Sequence, residues 1–600
     1  MSESFTRGHR RVAAAVALGC VAALGLAPAA TAAPGGGKGP KDPTVSVTVM
    51  GTSDLHGYIE NWDYFTNAEY DDAAHNDVGL AKISTLVNQV RADRGEESTL
   101  LIDNGDTIQG TSLTDYFANV EPVTETGETH PMAAAMNAMD YDATTLGNHE
   151  FNYGVPLLRT YEDQLDFPLL GANVKDAVTG EDAFTPYVIK TVRIKGQKPI
   201  RVGILGLTTP GSAIWDKNNV EGRLRFEGMV EQARKYVPEM RSAGADVVVV
   251  SSHSGPSGTS SYGGALPVEN ASTLIAEQVP GIDAILAGHE HQEIAERFVT
   301  NKETGEQVLL TEPKNWGMRL SVLDFELTKV RGQWDVTSAN SELLNTNTVP
   351  ADPKISAIAA DQHQRTIDYV NTAIGTATET MSAAESRIRD TAVMDFVNEV
   401  QAGAVDRALE GTPNADLPVL SIVAPFNRAA VIPEGPVTIR DMAGLYVFPN
   451  TLFGVELTGA QVKDYLEYSA KYFTQTAPGA AVDPATLTNA AGTPDYNYDM
   501  MSGVSYDIDI SKPVGERITD LSYAGAPIDP AQRFAVATNN YRQSGGGNFP
   551  HIATAPVLVN QTTEIRQLLI DYLIAEGTID PASFFDENWK LTRNGEPVFG

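Results

Sequence analysis

The chain has 600 residues, with 77 Asp and Glu against 43 Lys and Arg and a formal net charge of −34 at pH 7. That length exceeds one ordinary core and predicts two or more domains, while 42% hydrophobic and 8% aromatic residues exclude a disordered acidic polymer. The acidity excludes a surface for duplex nucleic acid, whose affinity rests on Lys and Arg. A single cysteine, Cys20, excludes internal disulfides and thiolate zinc sites.

Residues 1–32 read as an export signal. Arg7, Arg10 and Arg11 precede an apolar run over 12–26, and Ala29-Ala30-Thr31-Ala32-Ala33 offers small residues for cleavage after Ala32. The run is too short to span a bilayer. It also continues past Cys20, which argues against a lipid anchor there. Three arginines and Glu3 would leave with the signal, deepening the charge from −34 to −36. Residues 33–43, rich in Gly, Pro and Lys, predict a flexible leader. No later stretch has membrane-spanning length, so the expectation is an exported monomer, extracellular or in the cell envelope.

From residue 44 to about 345, apolar β-branched runs alternate with amphipathic stretches. Residues 45–50, 99–102, 143–146, 202–207, 246–250 and 283–287 predict buried strands; 79–90 and 226–243 predict helices. That alternation belongs to an α/β fold. Residues 345–353 are polar and contain proline, which predicts a boundary. Helical periodicity over 355–374 suits a linking hinge within 346–385. From 386 the pattern restarts, with helices over 393–409, 459–472 and 564–575 and strands over 419–424, 452–457 and 533–538. Residues 474–498, rich in Ala, Thr, Asn and Pro, predict a surface excursion.

The histidines gather at strand ends. Five stand just past an apolar run: His56 in Asp54-Leu55-His56, His149 in Gly147-Asn148-His149-Glu150, His253, and the pair in Gly288-His289-Glu290-His291. Asp103-Asn104-Gly105-Asp106 ends the second run in the same way. Sites in open α/β sheets form outside the carboxyl ends of strands, so five turns converge on one crevice. Asp54 and His56, two apart, share a face of an extended segment. Carboxylate, imidazole and amide oxygen without thiolate suit Mn, Zn, Fe, Ni or Co, with Mg and Ca also open. Asp54, His56, Asp106, Asn148, His253, His289 and His291 exceed the needs of one ion. They predict two ions about 3.5–4 Å apart, bridged by Asp106 from its Gly-Asp turn. Each piece alone is ordinary; their recurrence at successive strand ends carries the reading. His75, His130, His363 and His551 fit no such pattern and are expected at the surface or in loops.

These motifs, within the longer strings Asp103-Asn104-Gly105-Asp106-Thr107-Ile108-Gln109-Gly110 and Thr145-Leu146-Gly147-Asn148-His149-Glu150-Phe151-Asn152-Tyr153-Gly154, resemble the bacterial 5′-nucleotidase family. The resemblance covers essentially the whole chain beyond the signal. It is strongest to the 2′,3′-cyclic-nucleotide 2′-phosphodiesterase/3′-nucleotidase branch. It implies a four-layer metallophosphoesterase β-sandwich flanked by helices over 44–345, and a second α/β (α+β) substrate-binding domain over 386–600. It further implies one ion held by Asp54, His56, Asp106 and His291 and the other by Asp106, Asn148, His253 and His289. His149 would then protonate the leaving oxygen or stabilise the phosphoryl group. Many 5′-nucleotidases carry Asp where this chain has Asn152; an amide can orient the imidazole but lends it no charge. Asn at this position resembles the cyclic-nucleotide branch.

In the second half, Phe448-Pro449-Asn450-Thr451 and Ala537-Thr538-Asn539-Asn540-Tyr541 each set an aromatic beside a turn, and Gly545-Gly546-Gly547 follows. On residue physics alone such aromatics are packing. The resemblance implies instead that Phe448 and Tyr541 sandwich a nucleobase, with Asn450 as a polar contact and Arg428 as a phosphate or ribose contact. Arg440 and Arg542 are expected to be structural or solvent-facing. The implied activity is hydrolysis of 2′,3′-cyclic nucleotides to 3′-nucleotides, and of these to nucleoside and phosphate, by in-line attack of a metal-activated water. A 5′-nucleotidase or nucleotide-sugar hydrolase built from the same parts is the alternative, and a non-catalytic nucleotide binder a remoter one. Two divalent cations reconcile an acidic chain with a small phosphorylated substrate.

Overall fold

A run of four valines shows how the first half is layered. Side chains alternate across a strand, so Val247 and Val249 enter one core while Val248 and Val250 enter another. Their strand, Val247–His253, lies inside a six-stranded sheet ordered Glu293–Thr300, Gln307–Pro313, Ala284–Ala287, Val247–His253, Ile200–Thr208, Tyr187–Val192. A second six-stranded sheet runs Gln333–Asn345, Arg319–Val330, Val45–Thr52, Thr99–Asp103, Ala143–Thr145, Leu169–Leu170. The sheets face each other across Val47, Val49, Ile102, Val202, Leu286 and Phe325. Helices Leu80–Arg94 and Pro131–Ala138 cover one outer face; Met229–Ser242 and Ser272–Gln278 cover the other. Helix, sheet, sheet and helix make the four layers expected from the resemblance. This computed structural model describes residues 44–599 except Gly263 and Ala265; the expected signal and leader lie outside the described residues.

All six expected strands of this half form. The hairpin of Arg319–Val330 and Gln333–Asn345 was not anticipated. Arg331 and Gly332 both adopt positive φ, 54° and 83°, and close it as a two-residue turn. Its second strand is polar and buries only Trp334, so no sustained apolar alternation announces it.

The second half centres on a five-stranded sheet ordered Met500–Ser502, Val419–Val423, Arg533–Asn539, Thr451–Thr458, Val557–Glu564. Helices Ala392–Leu409 and Ile565–Glu576 share one core with it, through Phe396, Val455, Phe534 and Leu569. The expected excursion over 474–498 forms short turns but returns Leu487 and Tyr498 to this core.

The helix expected within 346–385 forms as Pro353–Val370. Pro353–Val370 buries Ile355 and Ala359 in the first half's core, and Arg365 pairs with Glu121 and Glu128. It is a packed member of that half, and residues 371–372 carry the chain across into strand Ala373–Ala377, which pairs with Gly435–Thr438. Among the described residues no helix is long and apolar enough to cross a membrane.

Candidate metal centre and substrate cleft

The strand ends bring all seven expected donors together. Asp54, His56 and His291 form one group and Asp106, His253 and His289 another; within each, the donor atoms lie within 4.8 Å of one another. Asp106 Oδ2 stands 3.0 Å from His253 Nε2 and 3.9 Å from His56 Nε2, so one carboxylate faces both groups. Asn148 Oδ1 is 3.2 Å from His253 Nε2. Five of the seven, Asp54, His56, Asp106, His289 and His291, have φ between 48° and 73°. A left-handed backbone costs a non-glycine residue roughly 1–2 kcal/mol, and here it turns the chain sharply enough at each strand end to aim the donors inward.

The imidazoles are oriented from behind. His56 Nδ1 bonds the Gln109 carbonyl and His253 Nδ1 the Asn104 carbonyl, both at 2.8 Å; His289 Nε2 meets the Glu269 carboxylate at 2.9 Å. A carbonyl or carboxylate only accepts, so those nitrogens hold a proton and the opposite nitrogens are the ones turned toward the centre, where a cation would take the place of any proton they carry. His56 Nε2 and His291 Nε2 face each other at 3.3 Å, a contact that a cation relieves. Burial opposes charge on His253, yet Asp106 outweighs it and lifts the ring to about 10. Burial would likewise raise Asp54, but His291 and His253 hold it down at about 2. The spot draws positive charge strongly, and its nitrogen and oxygen donors fit divalent metal ions.

Two acids within the same motifs, Glu150 and Asp103, support the turns instead of facing the centre. Glu150 is buried and accepts the backbone N–H groups of Asp106, Thr107, Ile108 and Gly147 at 2.6–3.3 Å, locking the second and third strand-end turns together. Asp103 accepts hydroxyls from Thr52, Thr107 and Thr144. Gly105 has φ 89°, and a Cβ there would stand 2.3 Å from the Gly147 nitrogen; only glycine lets the two turns approach so closely. Glu269 and Trp215 were missed entirely. Trp215 stacks on His289, ring centres 5.6 Å apart at 24°.

His149 and Asn152 meet as expected, with Nδ1 and Oδ1 at 2.6 Å. The His149 backbone N–H also bonds Asp106 Oδ1 at 2.7 Å. Behind Asn152 lies Asp216, another residue that sequence did not single out; Asn152 Nδ2 donates to its Oδ1 at 2.8 Å. Burial pushes the Asp216 carboxyl up to about 7, against the pull of Asn152 and His149.

The centre opens into a cleft of about 1710 Å³ between the two halves. Phe448, Asn450 and Tyr541 line it from the second half. Phe448 rests edge-on against Phe426 at 5.2 Å, Asn450 Nδ2 donates to the Tyr446 hydroxyl, and Tyr541 lies over Gly546. The halves meet through a buried ion pair, Arg566 to Asp115 at 2.8 Å, and through Arg440, which lines the cleft and donates to the Thr66 carbonyl at 3.1 Å. Arg542 is structural, buried and paired with Asp499 at 2.7 Å. Arg428 is exposed next to the lining residue Asn427, and its guanidinium pairs with Asp495, 3.0 Å away between the lining residues Pro494 and Tyr496. Of the four unassigned histidines, His75 and His551 pair with acids near the surface and His363 bonds Tyr64, whereas His130 is fully buried and caps a helix. Seven carboxylates line the cleft against two arginines, so a phosphorylated ligand needs added positive charge here.

Residues 47–293 match the family model described as calcineurin-like phosphoesterase, and 373–554 match the 5′-nucleotidase C-terminal domain. A Haemophilus influenzae protein named 2′,3′-cyclic-nucleotide 2′-phosphodiesterase/3′-nucleotidase is 35% identical over 603 residues, covering 92% of this chain and 88% of its own length. The chain belongs to the 5′-nucleotidase family. A Bacillus subtilis protein named trifunctional nucleotide phosphoesterase is also 35% identical over 93% of this chain, which spans 39% of that longer relative. Among solved structures, a Staphylococcus aureus protein described as a 5′-nucleotidase superposes with a TM-score of 0.72 at 27% identity, covering 91% of this chain and all of that one. This member of the 5′-nucleotidase family is therefore a two-domain, metal-dependent phosphoesterase with two candidate metal groups at its strand ends.

Proposed function

We propose that the chain hydrolyses nucleoside phosphate esters, opening 2′,3′-cyclic nucleotides to 3′-nucleotides and taking these to nucleoside and phosphate. The observation that carries this reading is a single cleft with metal-type donors on one wall and two aromatic rings on the other. Relatives bearing that activity in their names, matched over nine-tenths of the chain, support it. Asp54, His56, Asp106 and His291 would hold one divalent ion and Asp106, Asn148, His253 and His289 the other. Bound there, such ions neutralise phosphoryl charge and make the attacking water more acidic.

The chain's own groups supply the rest. Glu150 and Asp103 keep the turns fixed, so the donors need little rearrangement. His149, with Nδ1 tied to Asn152, has Nε2 left to protonate the leaving oxygen or to hydrogen-bond the phosphoryl group. Phe448 and Tyr541 stack on the base, a contact tolerant of base identity, and Asn450 offers a polar contact beside them. In the first reaction water bonds to phosphorus and the bond to O2′ breaks, the proton going to O2′. In the second, water again bonds to phosphorus and the bond to O3′ breaks. Base and phosphate are held from different halves, so both walls must engage one substrate. Export belongs to the same proposal and rests on the signal-like pattern of residues 1–32; a monomeric state is proposed with it.

The test is turnover of 2′,3′-cyclic AMP, 3′-AMP and 5′-AMP by one preparation, after chelation and after separate return of Mn, Zn, Mg and Ca. Metal-dependent turnover of the first two is expected. Turnover of 5′-AMP alone would replace this reading by the 5′-nucleotidase one.

A further inference from the structure

We infer that Asp216 is a positioning residue: its buried carboxylate sets the sense of the Asn152 amide and thereby decides which nitrogen of His149 carries the proton. This rests on the role given to His149 above and names the group that acts on it from behind.

Above the value of about 7 to which burial lifts it, as at pH 8, the Asp216 carboxylate is ionised and has no proton to give. With Asp216 Oδ1 at 2.8 Å, the Asn152 amide must turn its NH2 toward Asp216, which leaves its oxygen facing His149 Nδ1 at 2.6 Å. That oxygen only accepts, so Nδ1 holds a proton and Nε2 is the nitrogen free to exchange one with the substrate. Reversing the amide would set its carbonyl against the carboxylate, a repulsion that no change of the His149 tautomer relieves.

The surroundings hold this order. Asp216 is 4% exposed and its Oδ2 has no hydrogen-bond partner; the Asn152 amide, 2.8 Å from Oδ1, is the foremost group holding its charge, with Asn219 beside it. Asn219 Nδ2 donates to the backbone carbonyls of Phe151 and Asn152, both at 3.0 Å, and Asp216 in turn accepts the backbone N–H of Asn219. The neighbouring Trp215 stacks on His289. One dipeptide thus backs a ring of the metal group and the ring expected to handle the proton. The charge that Asn152 lacks is supplied one amide further back, and linked hydrogen bonds of this kind polarise one another.

A charge swap tests the inference in the metal-loaded full chain at pH 8 with 3′-AMP. D216N leaves the shape but removes the charge and the fixed amide sense, and should lower kcat about tenfold or more, as loss of outer orienting groups commonly does, with KM within about twofold. N152D alone sets two carboxylates face to face and should lose at least as much. N152D combined with D216N restores one charge and the donor–acceptor order, and should return to within about threefold of the parent. In metal-free protein, nitrogen-15 histidine spectra should show a protonated His149 Nδ1 in the parent and the double variant and a mixed state in D216N. Unchanged kcat in D216N, or a double variant that loses as much as the two single losses multiplied, overturns the inference. If D216N does not fold, comparing N152D with the double variant decides alone: recovery is expected and further loss overturns. H149A separates the two levels, because full turnover by H149A refutes the role of His149 itself.

Discussion

Gly546→Ala probes the proposed base clamp without touching a polar group. A Cβ at Gly546 would stand 2.5 Å from Cζ of Tyr541 and 2.6 Å from both Cε atoms. That is about 1 Å inside ordinary carbon–carbon contact. Unlike Gly545 and Gly547, Gly546 has no positive φ, so the added methyl strains the ring rather than the backbone. Tyr541 must lift from its present plane. Stacking is worth roughly 1–3 kcal/mol per base, so kcat/KM for 3′-AMP should fall about 5- to 160-fold. The assay compares that loss with kcat/KM for glycerol 2-phosphate, which has no ring to stack and should be nearly unaffected. Equal losses on both substrates, or none on the nucleotide, refute the assignment of Tyr541.

Asp106→Asn removes the carboxylate that faces both metal groups. Elemental analysis after dialysis should show fewer bound ions, and hydrolysis should fall at least about 100-fold, because metal contacts are worth several kcal/mol; retained hydrolysis contradicts the bridge. His149→Ala should lose about 10²-fold or more on 3′-AMP, the usual size of a general-acid contribution. It should lose far less on p-nitrophenyl phosphate, whose leaving group needs no proton; matching losses would assign His149 to the phosphoryl group instead. Far from the cleft, burial, reinforced by Asp390, pushes the Asp395 carboxyl up to about 8. The unfolded chain releases that proton near pH 4 while the folded chain keeps it, so Asp395 lowers stability progressively from about pH 4 to pH 8. Asp395→Asn should therefore raise the thermal midpoint more at pH 8 than at pH 5, and an equal shift at both would show that the carboxyl does not titrate across that window.

The sequence announces the metal donors because each sits where an apolar strand ends, and a valine run such as 247–250 marks its strand whatever surrounds it. Their supports are illegible for the opposite reason. Glu150 reaches back across more than 40 residues to the Asp106 turn, Glu269 lies 20 residues before His289, and Asp216 lies 64 after Asn152. None of these pairs has a local period. Strand Gln333–Asn345 escaped notice because a polar edge strand carries no sustained apolar alternation. The pairing of Arg428 with Asp495 is illegible because Asp495 belongs to an excursion whose return to the core shows only in three dimensions.

The left-handed backbone at Asp54, His56, Asp106, His289 and His291 has an evolutionary consequence. Each is a position where glycine or asparagine would be the conformationally easier choice. Drift in a lineage released from metal chemistry would therefore run downhill toward those residues at these five sites first, gaining stability as it lost its ligands. The ligand set at these strand ends is therefore held against the conformational preference of its own backbone.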